Sequence, residues 1–95
     1  MSLAVRPGKQ VVFTGTAAAA GGILSPEVGG AKACGIRAKI KTLTADLVVS
    51  FDGGKNRFTQ TVADGWQEYD GQFPSVFVAD PGATAVYTVI ITTVG

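Results

Sequence analysis

The sequence has no histidine and a single cysteine, Cys34. The first absence removes the commonest general base and the commonest transition-metal ligand, so neither a Ser–His nor a Cys–His arrangement can be built. The second excludes an internal disulfide, leaving stability to packing or association. No run of about 18 apolar residues is present, so no membrane-spanning helix is expected. The opening MSLAVRPGKQ lacks the basic-then-apolar order of a secretion signal. Charge is sparse, at 16% of residues. All eight basic residues lie at or before Arg57 with only three acids among them, and the other four acids follow. The chain is therefore basic in its first part and acidic in its last.

What is present is β-forming. Val and Thr are frequent, Leu is rare, and turn residues recur between short apolar runs. Ala45 to Gly71 is the organising stretch. Leu47, Val49 and Phe51 alternate with Val48 and Ser50, which puts the first three on one face of a strand. Asp52-Gly53-Gly54 supplies a turn, because glycine reaches positive φ without a Cβ clash. Alternation then resumes, with Phe58, Gln60 and Val62 on one face and Arg57, Thr59 and Thr61 on the other. This predicts a hairpin with a bulged or four-to-five-residue loop.

The remaining elements are read in chain order. Met1 to Lys9 is expected to be an extended arm, and Gln10–Thr16 a first strand. Ala17–Gly22 fits either a short helix or a place of close backbone approach. Ser25-Pro26-Glu27 is expected to turn, with or without one helical turn. In 31–42, Ile36, Ala38 and Ile40 alternate with Arg37, Lys39 and Lys41, the mark of one buried and one solvated face. Gln72-Phe73-Pro74 reads as a connector, 75–79 as a strand, and Asp80-Pro81-Gly82 as a turn. Thr84–Val94 is the longest β-prone run. Tyr87, Val89 and Ile91 share one face, but Val86, Ile90 and Val94 occupy the other. Such a strand is either central and covered on both sides within the domain, or packed against another subunit.

These features define a single all-β domain over residues 1–95, an antiparallel β-sandwich of jelly-roll type, with a small β-barrel as the alternative. Chemistry is scarce. Gly53-Gly54-Lys55 lacks phosphate-loop spacing and joins strands. Asp64, Glu68 and Asp70 lack calcium-loop spacing, and no metal or other cofactor is implied. Cys34 has no basic partner and is expected to be a small buried thiol. Trp66 and Tyr69 form either a core plug, chiefly through Trp66, or a stacking platform for a sugar ring. Arg37, Lys39 and Lys41, with Lys32, Lys55 and Arg57, form a basic set with too little aromatic interleaving for nucleic acid.

The pattern V-V-S-F-D-G-G-(x)3-F-T, the Asp80-Pro81-Gly82 turn and the Thr/Val-rich final strand resemble small β-sandwich structural proteins of tailed bacteriophages, such as capsid decoration and head–tail or tail components. The resemblance covers about residues 45–95 and carries no functional residue. It implies a virion component that acts by assembly without catalysis. The expected partners are further copies of the chain and other structural proteins, meeting at Val86, Ile90, Arg37, Lys39 and Lys41. A small carbohydrate-binding module using Trp66 and Tyr69 is the alternative.

Overall fold

A computed structural model describes residues 7–94. Of the expected N-terminal arm, residues 1–6 lie outside that range. Pro7–Lys9 belong to the first strand, which starts earlier than the sequence indicates. The ten strands are β1 (Pro7–Thr16), β2 (Gly22–Leu24), β3 (Glu27–Val28), β4 (Ala31–Lys32), β5 (Gly35–Thr42), β6 (Leu47–Ser50), β7 (Phe58–Gln60), β8 (Gln67–Phe73), β9 (Val76–Ala79) and β10 (Val86–Val94). A single 3-10 turn, Val62–Asp64, is the only helical element among the described residues.

Two four-stranded antiparallel sheets face each other. The front sheet has the order β1-β10-β5-β8 and the back sheet β2-β9-β6-β7. The small β3–β4 hairpin stands apart from both. The pairs β1·β10, β2·β9, β5·β8 and β6·β7 are nested in the sequence. The chain is thus one long hairpin whose tip is the turn after Ser50, rolled so that successive pairs fall alternately in the two sheets. That is the jelly-roll arrangement, and it selects the sandwich over the barrel.

The alternation in β5 translates directly into packing. Ala38 and Ile40 are fully buried while Arg37 and Lys39 are exposed. From the front sheet, Ala38, Ile40, Tyr87, Val89 and Ile91 point inward; Leu47, Val49, Val76 and Val78 meet them from the back sheet. β-branched and aromatic side chains fill such a pleated interface well. Where the two sheets end at β7 and β8, the gap is closed by aromatics. The Phe51 ring lies 4.9 Å from Phe73 and 5.4 Å from Tyr69, and Phe58 lies 5.1 Å from Tyr69. Gln60 is buried among them and fully used. Its Nε2 donates to the carbonyls of Ile40 (2.7 Å) and Gly65 (3.1 Å), and its Oε1 accepts from the Tyr69 hydroxyl (3.1 Å). One amide therefore ties the back sheet's edge to the front sheet, and a buried polar group is stable only when so satisfied.

Several local expectations change in three dimensions. Ala17–Gly22 forms no helix; the Gly21 N–H donates to the Ala18 carbonyl in a turn. Ser25-Pro26 makes no helical turn and passes directly from β2 into β3. The 31–42 run breaks at Ala33-Cys34, dividing β4 from β5, and Cys34 at that break is exposed, not buried. β7 stops at Gln60, so Val62 turns away into solvent at 43% exposure. Phe73 is no connector. It ends β8 inside the core, and its ring packs so close to Gly35 that a Cβ there would meet it at 2.3 Å.

Candidate functional site: the outer face of the front sheet

The register across the front sheet lines up its outward side chains in rows. Gln10, Thr92, Arg37 and Asp70 make one; Val12, Ile90, Lys39 and Glu68 make the next. Thr14, Thr88 and Lys41 follow, and the Lys41 ammonium lies 5.9 Å from the centre of the Trp66 ring. Thr16 and Val86 begin the last row, where the Leu43 N–H donates to the Val86 carbonyl at 2.8 Å. The face is therefore divided lengthwise. Over β1 and β10 it is threonine and branched aliphatic; over β5 and β8 it is charged, with Leu43 and Trp66 at one end.

No other element of the described residues packs on this face. Val12 is 59% exposed, Leu43 49% and Trp66 48%. Val86 and Ile90 are half-buried. β10 is thus central in its sheet, but among the described residues its outer side has no covering element. The five residues expected at an interface, Arg37, Lys39, Lys41, Val86 and Ile90, all fall on this one face, on adjacent strands.

The charges on the face largely compensate one another. The Arg37 Nε donates to Asp70 Oδ1 at 2.8 Å and lies 3.5 Å from Glu68 Oε1. The hydrogen bond to Asp70, reinforced by the charges of Asp70 and Glu68, raises the Arg37 pKa further above its ordinary value. Both carboxylates are well exposed, so the pair orients side chains more than it stabilises the fold. The wider basic set does not assemble. Lys32 lies on the β3–β4 hairpin, and Lys55 and Arg57 lie in the turn at the hairpin tip, with the Arg57 guanidinium 4.8 Å from the centre of the Phe77 ring.

Trp66 and Tyr69 are also separated. Trp66 stands by Lys41 on the outer face, whereas Tyr69 pairs with buried Ala38, points inward and bonds Gln60. Burial, then the charge of Asp64, raises the Tyr69 pKa. The two rings therefore cannot form one stacking platform, and Trp66 is no core plug either. The aromatic role in the core is taken by Phe51, Phe73 and Tyr69. Asp64 does not join the other two acids. Its carboxylate accepts from the Thr61 N–H at 2.8 Å and caps the 3-10 turn.

A second feature is an open apolar cleft of about 420 Å³ lined by Lys32, Ala33, Cys34, Gln72, Phe73 and Pro74. It adjoins a smaller one of about 160 Å³ beside Phe51 and Tyr69. Sequence reasoning passed over Leu43, Val12 and Phe73 here. Parity counted along the chain from Lys39 would have placed Leu43 on the outer face, whereas Val12 needed the β1–β10 register. For Phe73, the adjacent Pro74 hid a strand end. No protein-family model, no curated protein and no solved structure matches the chain.

Proposed function

We propose that this protein is a non-enzymatic structural subunit that associates through the outer face of its front sheet. The partner is another copy of the chain or a neighbouring structural protein of a virion, as at a capsid or tail surface. The observation that carries the reading is the apolar set of exposed Val12, Leu43 and Trp66 with half-buried Val86 and Ile90 on a continuous four-stranded face. A domain that works alone usually keeps contiguous apolar surface small. The jelly roll supports the reading only by analogy, since viral capsid proteins and lectins both use it.

Strands about 4.8 Å apart and about seven residues long give a face of roughly 20 by 23 Å. Burying it removes about 400–500 Å² from each partner, roughly 800–1,000 Å² in total, below the range of a standard stable complex. Such a contact is weak singly and strong when many copies repeat it on an ordered surface. Lys39 and Lys41 add a salt-sensitive component at its charged side. The test is Ile90→Lys, which leaves the inner face untouched. It should weaken self-association or surface binding by about tenfold or more, with the folded spectrum retained. Undiminished assembly would count against this face.

The exposed indole of Trp66 favours a second reading, a glycan-binding surface, with Tyr69 excluded from it. Loss of glycan retention in a folded Trp66→Ala variant would support that reading; unchanged retention would oppose it.

A further inference from the structure

The rolled hairpin leaves four strands at sheet edges: β1 and β8 in front, β2 and β7 behind. An edge strand presents unpaired backbone N–H and C=O groups, and proteins blunt such edges by shortness, charge, proline or bulges. Three of the four are blunted here. β2 and β7 are three residues each. β8 carries Glu68 and Asp70, and its pairing with β5 shifts register between Gly35 and Arg37. β1 is different. Its proline, its lysine and its one register shift all lie before Gln10, and Gln10 to Thr16 then pairs with β10 without interruption. That segment, QVVFTGT, has no charge and no proline. Among the described residues nothing pairs with its other side.

We infer that β1 is a docking edge for the β1 of a second copy, joined antiparallel about a two-fold axis at Val12. The inference extends the self-association reading above and rests on it. The sequence is self-complementary in this register. Val12 meets its own copy on the outer face. Val11 meets the copy's Phe13 on the inner side, where both are only half-buried in the monomer. Gln10 meets Thr14, and Lys9 meets Gly15, so no like charges are opposed. The same operation on β8 would set acids near acids. The two-fold is isologous and uses up the open edge of both copies, so the assembly closes as a dimer. It also merges the two outer faces into one sheet of doubled width, with the Val12 pair at its centre.

Backbone pairing is read by amide hydrogen exchange of the full chain at low and high concentration, with solution mass measured alongside. In the monomer, amides along Gln10–Thr16 should alternate between protected and fast. As the mass rises to twice 9.7 kDa, the fast ones should slow by about tenfold or more. Val12→Lys, which sets two ammonium groups on the axis, should restore alternation. Leu43→Lys, on the same outer face beyond β5, should not. Doubled mass with alternation unchanged would overturn the edge pairing and leave self-association through the face standing. A monomer with alternation at every concentration would overturn both. Full protection in a monomer would mean the edge is closed within one chain, and would also overturn the pairing.

Discussion

The central strands of the two sheets pose the same physical problem and meet it differently. β9 and β10 each carry apolar residues on both faces. On the back sheet the chain covers its own outer side over Phe77, while its β2 neighbour Ile23 stays 52% exposed. Phe77 is 6% exposed, with the turn glycines Gly21 and Gly54 against its ring and the Arg57 guanidinium 4.8 Å from its centre. On the front sheet the corresponding side, at Val86 and Ile90, receives no such cover. A strand that is apolar on both faces therefore carries one message in sequence, that something covers it, and only the fold tells whether the cover is the chain itself or a partner.

The cover over β9 is built with some care. The tip turn is held by Asp52, whose carboxylate accepts from the Asn56 N–H (2.9 Å), the Asn56 side-chain amide and the Ser50 hydroxyl (2.6 Å). Ser50 Oγ also accepts from the Gly54 N–H at 3.0 Å, and Arg57 Nε donates to the Gly54 carbonyl at 2.8 Å. These bonds fix the turn that brings Gly54 and Arg57 over Phe77. Among the described residues the front sheet has no equivalent loop.

Substitution at the two strands should separate most sharply. Phe77→Ala empties a nearly buried site and should cost about 3–5 kcal/mol in urea unfolding. Ile90→Thr, at the open face, should change the stability of the dilute monomer by less than about 1 kcal/mol while weakening association. Equal losses would mean the front face is closed within the chain. Next in size is Gly21→Ala. Gly21 has φ +87°, and a Cβ there would meet the Phe77 ring at 2.2 Å. Strain and clash together should cost about 1–3 kcal/mol. A neutral result would show that the back cover is loose.

The smallest effect concerns Asp52. Hydrogen bonds from the Asn56 N–H, Ser50 and the Asn56 side chain hold its carboxyl well below the usual carboxylate range. A pKa depressed in the folded state contributes stability above the unfolded value and loses it as pH falls through the folded one. Asp52→Asn should therefore flatten the acid limb of the turn's pH titration, followed by NMR shifts at Gly54 and Asn56. An unchanged acid limb would show that Asp52 does not hold the turn.

Much of this was legible beforehand. The inward and outward residues of β5 and β10 follow from a period of two, and so does the all-β class. The pairing order was not legible, because a nested hairpin brings β1 to β10 across the whole chain and local pattern carries no such information. Trp66 misled because the largest apolar side chain is the default anchor for a core. Here Phe51, Tyr69 and Phe73 close the aromatic edge, and parity along β8 sends Trp66 outward with Glu68 and Asp70. Cys34 misled because a lone thiol without a basic partner was read as a small buried side chain, whereas the chain breaks at Ala33-Cys34 between β4 and β5. Val86, Ile90 and the three β5 cations fall on one face because they obey the same parity on neighbouring strands.

The most direct test of an uncovered front face is the solution mass by light scattering, from dilute to concentrated protein and at low and high salt. A reversible rise above the monomer mass with concentration is expected, reduced by salt through Lys39 and Lys41 and abolished in Ile90→Lys. A monomer mass at every concentration and salt, identical in the variant, would contradict self-association through this face.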